Sequence, residues 1–372
     1  MRNPRNEQLL ERLVQRMASG TSDDAEAMLT EDAADFLSPE RHARERERMF
    51  LRTPQVVAVS GELREPGSYL TTDVMGTPVL VTRDQQGRLH AFVNSCAHRG
   101  ARVATGHGQR GTLSCRFHGW TYALDGTLRG RPRDECFSVA PENCGLPRLP
   151  VSDRSGLIVV GLAQTTQAEV DAHLADIEAQ LGGLRLETAR TLDSRRYELD
   201  ANWKLVASVS YESYHFATLH RDTVATMFEA NTVCDFFGRH SRWLFGLKSV
   251  KELAGTDPAA WPEAMPAVLS HQLFPGTVVI VTWEMAQILR SEPGPTPDTC
   301  VVHAHAVALG DADPESLRAN YELGLRAFET EDMPAAVEAT QGLRSAPRPF
   351  YVGRNEPVVR FWCEQWRRAL GE

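Results

Sequence analysis

Cys96-Ala97-His98-Arg99-Gly100-Ala101 and Cys115-Arg116-Phe117-His118-Gly119-Trp120 are the two stretches that decide how this chain is read. Each sets a thiol and an imidazole within one loop's reach, and sixteen residues separate His98 from Cys115. Two thiolates and two imidazoles at that spacing suit either one tetrahedral zinc or a [2Fe-2S] cluster in which His replaces Cys on one iron. A zinc site needs none of the flanking residues.

At 372 residues the chain is too long for a lone ferredoxin-sized carrier and has room for one small and one larger domain. Hydrophobic residues make up 42% and charged residues 24%, ordinary values for a globular protein. The longest apolar runs, Leu157 to Ala163 and Val278 to Val281, are far too short to span a bilayer. After Arg2 and Arg5, the residues Asn6, Glu7, Gln8 and Glu11 stand where an export signal would need an apolar core. A cytoplasmic protein without a membrane partner is therefore expected. Cys136, Cys144, Cys234, Cys300 and Cys363 are scattered without a framework spacing, so free thiols are expected. A net charge of −9 opposes general nucleic-acid binding. Locally the sign reverses: Arg99, Arg102, Arg110, Arg116, Arg129, Arg131 and Arg133 face only Asp125 over that stretch. Some would pair with acids elsewhere in the fold; otherwise they form a docking face for an acidic electron donor.

Leu9, Leu10, Leu13, Val14 and Met17 fall on one face of an N-terminal helix, and Ser38-Pro39-Glu40 starts a second. From Val56 the pattern turns to short β runs: Val56–Ser60, Tyr69–Asp73, Val79–Arg83, Leu89–Asn94, Thr112–Phe117 and Trp120–Leu124. Gln86-Gly87 and Asp125-Gly126 mark tight hairpins. This small antiparallel domain should end near Leu157–Gly161. Beyond it, Arg196–Asp200, Ser241–Lys248, Thr277–Glu284 and Cys300–Leu309 read as strands. Ala207–His220, Pro314–Glu329 and Pro357–Leu370 read as helices, and Ser291–Asp298, with three prolines, as a loop. Helices over one antiparallel sheet make the larger domain α+β.

A second concentration of chemistry lies in Tyr211-Glu212-Ser213-Tyr214-His215-Phe216-Ala217-Thr218-Leu219-His220. Two His five apart converge on one cation only if the helix frays, so a break near Leu219 is expected. Two imidazoles and one carboxylate on a single face of an iron leave positions open for dioxygen and substrate. The best carboxylate is Asp332, 112 residues past His220, at the start of a helix that runs into Glu338, Gln341 and Gly342. Glu329 and Glu331 stand close by, and an acidic helix start is often only dipole complementarity. His303 and His305 share one strand face and should line the pocket or meet solvent rather than ligate. Trp203, Tyr211 and Trp283 are expected in the core. Pocket walls are expected from 224–237 and 279–287.

Over about residues 40–345 the chain resembles the large, oxygenase (alpha) subunit of the Rieske non-haem iron oxygenases. The two Cys/His loops carry the resemblance, together with Asn202-Trp203-Lys204, the acid-x-Tyr-His-x4-His word from Glu212 to His220, and the Glu331-Asp332…Gln341-Gly342-Leu343 word. It implies a Rieske [2Fe-2S] cluster on Cys96, His98, Cys115 and His118, and a mononuclear Fe(II) on His215, His220 and Asp332. Neither loop holds the extra Cys of respiratory Rieske proteins, which points to the low-potential oxygenase version. Glu212 aligns with the bridging acid that joins the cluster of one subunit to the iron of its neighbour. Many relatives have Asp there; Glu also occurs, including in members acting on quaternary ammonium compounds. Where many relatives place an acid and then Asn after the Asn-Trp-Lys word, this chain has Ser208-Val209.

The implied fold is α+β, with a small antiparallel β Rieske domain at 51–163 and a helix-grip (START/Bet v 1-like) catalytic domain with a curved antiparallel sheet at 164–372. Helices in residues 1–50 would pack on the catalytic domain. The implied function is the terminal oxygenase of a multicomponent system. It would use O2 and electrons from a separate flavin/iron-sulfur reductase, directly or through a ferredoxin. The outcome would be monohydroxylation, cis-dihydroxylation or oxidative demethylation of a small organic substrate, expected to be aromatic. Head-to-tail trimers are implied as well, because within one subunit of such enzymes the two centres are too far apart for fast transfer. The competing reading is a Rieske electron-transfer or redox-sensing protein without mononuclear iron.

Overall fold

The computed structural model describes residues 4–162, 164–262, 264–282 and 284–372; Trp283, expected in the core, lies outside them. The chain divides into two compact units, one built from 50–175 with 185–189 and the other from the remainder. The small unit therefore reaches past 163 and takes in the helix Gln167–Ala172, which packs on the strand Val151–Arg154.

The small unit is entirely antiparallel. Its five-stranded sheet orders Arg148–Leu149, Leu89–Val93, Thr77–Arg83, Ser68–Val74 and His107–Gln109. A three-stranded sheet pairs Thr112–Ser114, Thr121–Ala123 and Leu128–Gly130, and another pairs Val151–Arg154, Leu157–Val160 and Gln55–Val59. Gly87 and Gly126 turn the expected hairpins with positive φ, at 77° and 82°, where any side chain is strained. Around Gly126 the space is closed too, since a Cβ there would meet the Phe92 ring. The strand expected over Thr112–Phe117 stops at Ser114, because Cys115–Gly119 bends into a loop closed by its own backbone.

In the large unit seven strands form one antiparallel sheet. In space they run Arg190–Leu199, Cys300–Ala308, Met285–Pro293, Thr277–Thr282, Ala267–Leu273, His240–Leu247 and Phe228–Phe237. Three of these strands were not anticipated: Phe228–Phe237, Ala267–Leu273 and Met285–Pro293. Ala267–Leu273 is buried on both faces and shows no alternation. Met285–Pro293 takes over the start of the expected Ser291–Asp298 loop. The helix Pro4–Ser19 turns Leu9, Leu10, Leu13, Val14 and Met17 into the core of this unit. The helix Pro357–Leu370 is anchored by Trp362, whose indole donates to Pro275 O at 2.7 Å.

Two expected helices are not continuous. Instead of one helix over Ala207–His220, Trp203–Ser208 and Phe216–Leu219 are separate pieces. The Glu212 carboxylate accepts the Tyr214 and His215 N–H groups, which helical hydrogen bonds would otherwise use, and Ser213 Oγ donates to Ala230 O at 2.7 Å. The break thus falls before His215 rather than near Leu219. The helix Pro314–Ala327 passes through a π-helical turn, Phe328–Asp332, into the helix Met333–Ser345. Asp332 therefore sits inside a helical run and not at a fresh helix start. Pro334 removes a backbone donor just beyond it, which favours a widened turn there.

The Asn202-Trp203-Lys204 word is an anchor. Asn202 caps its helix by accepting Lys204 N–H at 2.9 Å and donates to Phe36 O and Pro297 O, both at 2.7 Å. Trp203 Nε1 and Lys204 Nζ both donate to Glu45, at 2.9 and 2.6 Å, with the Lys and Glu side chains almost wholly buried. Burial lowers the Lys204 pKa, opposed by the Glu45 charge. Trp203 and Tyr211 are core residues. No helix among the described residues is long and apolar enough to cross a membrane, and none of the seven cysteines forms a disulfide.

Candidate metal centres

In the small unit the two Cys/His loops share one backbone plan. Gly100 N–H donates to Cys96 O at 2.8 Å and Gly119 N–H to Cys115 O at 2.9 Å; Cys96 N–H donates to Ala101 O and Cys115 N–H to Trp120 O. Both glycines have positive φ, 75° and 72°. Each loop thereby buries its Cys and leaves its His at the tip. The His98 and His118 Nδ1 atoms face each other at 3.1 Å, and His98 stacks on Trp120 at 5.1 Å. Burial, the facing His118 and Arg99 lower the His98 pKa, which favours the neutral imidazole that a metal needs. Tyr122, which sequence reasoning did not single out, brings its hydroxyl within 3.2 Å of Cys96 Sγ while accepting Ala97 N–H at 3.0 Å.

A single tetrahedral zinc would gather all four donor atoms at one point. Among the described residues only His215, His220 and Asp332 offer three such atoms within 4.8 Å of one another. The two loops instead present two buried thiols and a facing pair of imidazoles, the donor set of a two-iron cluster with His on one iron. The arginine excess around the loops is partly internal. Arg131 is buried over Trp120 and Phe137 and paired with Asp134 at 2.5 Å; Arg102 meets Asp73 and Arg133 meets Glu135, both at 2.7 Å.

In the large unit, His215 Nε2 lies 3.6 Å and His220 Nε2 3.0 Å from the same oxygen, Asp332 Oδ1. Both Nδ1 atoms are committed elsewhere. His215 Nδ1 meets Glu212 Oε1, and His220 Nδ1 meets Glu331 Oε2 at 2.5 Å, which also accepts from Thr223 Oγ1 at 2.7 Å. A carboxylate only accepts, so each Nδ1 carries the proton and each Nε2 of a neutral ring presents a lone pair. Asp332 Oδ1 is buried and accepts no hydrogen bond despite that proximity. Three lone pairs therefore converge without a proton among them, an arrangement that a cation relieves. Burial works to lower the His220 pKa, yet Asp332 and then Glu331 raise it on balance, so the surroundings favour positive charge at this point. The donor set, two imidazoles and one carboxylate, suits a ferrous ion with open positions.

Glu331 was weighed only as a rival to Asp332; its place is behind His220. Glu329 is held away from the site by Tyr197 at 2.5 Å and Arg195 at 2.8 Å. A cavity of about 160 Å³ opens onto His215, His220, Asp332 and Glu212. The expected wall segments contribute Val224, Met227 and Phe228, and Ile280, Thr282, Met285 and Gln287. Trp243, Phe245, Val268, Ser270 and Gly324 also line it and were not foreseen, because their strand and helix faces are known only from the sheet register. His303 and His305 do not line it. Val209, in the departing Ser208-Val209 pair, does.

Residues 186–372 match the family described as ring hydroxylating alpha subunit (catalytic domain), and residues 53–150 match the Rieske [2Fe-2S] domain. The glycine betaine monooxygenase oxygenase subunit of Chromohalobacter salexigens is 31% identical over 203 residues, 54% of this chain and 45% of that protein. The chloroplastic choline monooxygenase of Beta vulgaris is 29% identical over 205 residues, 53% of this chain and 45% of that protein. The match thus spans under half the length of these curated relatives. Among solved structures, a quaternary ammonium Rieske monooxygenase bound to L-carnitine superposes with TM-score 0.78 at 19% identity, over 99% of both chains. Naphthalene 1,2-dioxygenase from Rhodococcus sp. gives 0.75 at 20% identity, over 100% of this chain and 99% of that one. These structural likenesses establish the fold.

Proposed function

The chain belongs to the Rieske ring-hydroxylating oxygenase alpha subunits, and from that membership we propose that it is the terminal oxygenase of a multicomponent system. It takes electrons from a separate reductase, directly or through a ferredoxin, and uses O2 to hydroxylate or oxidatively demethylate a small organic substrate. The observation that carries this reading is the meeting of His215, His220 and Asp332 in the lining of one largely apolar cavity. When bound, the [2Fe-2S] cluster supplies single electrons and the mononuclear iron activates dioxygen.

Cys96, Cys115, His98 and His118 would hold the cluster, the two imidazoles through the Nδ1 atoms that already face each other. His215, His220 and Asp332 would hold the mononuclear iron, with Glu212 and Glu331 fixing the two ring orientations from behind. Glu212 does more than orient. Its Oε1 takes His215 Nδ1 and its Oε2 two backbone N–H groups, which leaves about one of its roughly four acceptor sites for a cluster imidazole of a neighbouring copy. Electrons would cross between subunits there, in a trimer or a multiple of one. The largely apolar cavity walls exclude bulk water and hold a C–H bond or an arene toward the three ligands. Relatives named for betaine and choline widen the expected aromatic substrate to small organic molecules in general. Unpaired cysteines agree with a cytoplasmic setting.

Iron per chain tests this: about three supports the oxygenase, and about two would leave only an electron carrier. Glu212→Gln should keep all of that iron yet slow turnover, and full activity in this variant would remove Glu212 from the electron path.

A further inference from the structure

The cavity floor follows from the sheet register. Trp243 stands opposite Ser270, Ser270 opposite Ile280 and Ile280 opposite Gln287, so one cross-sheet row carries an indole N–H, a hydroxyl and a carboxamide. Two residues along, on the same face, Phe245 stands opposite Val268 and Thr282 opposite Met285. Both rows line the cavity.

Three polar atoms on this floor, Trp243 Nε1, Ser270 Oγ and Thr282 Oγ1, are buried without a hydrogen-bond partner among the described residues. Trp243 and Ser270 are 3% and 1% exposed. An unpaired buried donor is costly, and Phe, Ala or Val would fill the same floor without that cost. Across the cavity, Gly324 sits inside the helix Pro314–Ala327, and a Cβ there would come within 3.0 Å of Gln287 Nε2. The glycine thus leaves room for the Gln287 amide between helix and sheet.

Charge narrows the ligand further. Apart from Glu212, His215, His220 and Asp332, no acidic, basic or histidine side chain lines the cavity among the described residues. A substrate carboxylate at the floor, away from the metal ligands, would find no cationic side chain among the described residues. A cage for a quaternary ammonium needs ring faces gathered around an empty centre. Of the five Phe and Trp rings that line this cavity, three pack against a fourth, Phe245, with Trp243 stacked at 5.0 Å and Phe216 and Phe228 edge-on at 5.1 and 5.4 Å, so much of their ring surface is spent on one another.

Resting on the oxygenase reading above, we infer that the cavity takes a neutral organic molecule bearing a hydrogen-bond-accepting oxygen, held by Trp243 and Ser270, which stand opposite each other on neighbouring strands, while its C–H face meets the metal ligands. The Trp243 Nε1–H and the Ser270 hydroxyl can both donate to one carbonyl or ether oxygen, whose two lone pairs take them, and a bare hydrocarbon leaves them unpaired.

The test uses the iron-loaded full chain and calorimetric titration with acetophenone, ethylbenzene, glycine betaine and choline. Acetophenone should bind at least roughly tenfold more tightly than ethylbenzene, and neither ammonium compound should displace it. Trp243→Phe and Ser270→Ala should each weaken acetophenone by roughly 10- to 100-fold while leaving ethylbenzene and the melting temperature nearly unchanged. Equal affinity for ketone and hydrocarbon, tighter binding of either ammonium compound, or no binding by any probe overturns the inference. Iron content and reductase-driven O2 uptake on the same preparation report separately on the oxygenase reading. A protein with about two irons per chain and no uptake fails that reading even if it prefers acetophenone.

Discussion

Cys96–Ala101 and Cys115–Trp120 close on themselves with the same two backbone hydrogen bonds, whereas His215, His220 and Asp332 meet only because a helix breaks, a π turn widens and a carboxylate stands behind each imidazole. The first arrangement is local: each loop needs its own half-dozen residues and the sheet that carries them. The second borrows its geometry from elements far apart in the chain, so it should be as fragile as the unit that brings them together. Substitutions can therefore separate the two sites, each with its own spectroscopic or metal-content readout.

The largest separation should come from Lys204→Met, which strips the buried Glu45 of its Lys204 partner and leaves only Arg41 at 3.3 Å and the Trp203 indole against it, at a cost of about 3 kcal/mol. Urea unfolding should show the large unit destabilised and its mononuclear iron lost, while the cluster's visible absorption persists. Simultaneous loss of both signals would break the contrast between local and borrowed sites. Next, Glu331→Ala removes the acceptor behind His220 and should weaken mononuclear iron binding by roughly 10- to 100-fold in chelator competition, with the cluster unaffected. The reverse experiment is Gly119→Ala. Its φ of 72° and a Cβ only 3.3 Å from the Pro132 ring should cost about 1–2 kcal/mol and lower the temperature at which the cluster bleaches, leaving the iron site intact. The smallest effect is expected from Gly324→Ala. Removing a helix-interior glycine should stabilise the large unit by about 0.5–1 kcal/mol, yet displacing Gln287 should slow substrate-dependent O2 uptake.

The same contrast explains what could be read in advance. The loop residues announce themselves because ligand, turn glycine and neighbour lie within a few positions of one another. The N-terminal helix was legible for a similar reason: Leu9, Leu10, Leu13, Val14 and Met17 repeat at helical spacing and all are buried. Asp332 could be proposed from its word, but Glu331 looked like an interchangeable neighbour until His220 and Thr223 were found against it. Tyr122 lies 26 positions from Cys96, and nothing in the spacing marks it as a partner of the sulfur. Helical periodicity over Ala207–His220 was real in the residue pattern. It lost to Glu212, whose carboxylate takes N–H groups that propensity assigns to the helix, and to Ser213, whose hydroxyl ties the segment to Ala230 O.

By itself the sequence determined the chemistry available to this protein: two thiol–imidazole loops, a paired-histidine word, an acid downstream, and strands and hairpins enough for one small β unit. Those properties depend on side-chain type and short-range backbone preference, which act over a few residues. Only the tertiary structure decided which carboxylate faces which imidazole, where the helix carrying the histidines breaks, and that Trp243, Ser270 and Gln287 share a floor. Those outcomes depend on strand register and on buried hydrogen bonds between distant segments, and a shift of one residue in register would turn that floor to the opposite face of the sheet.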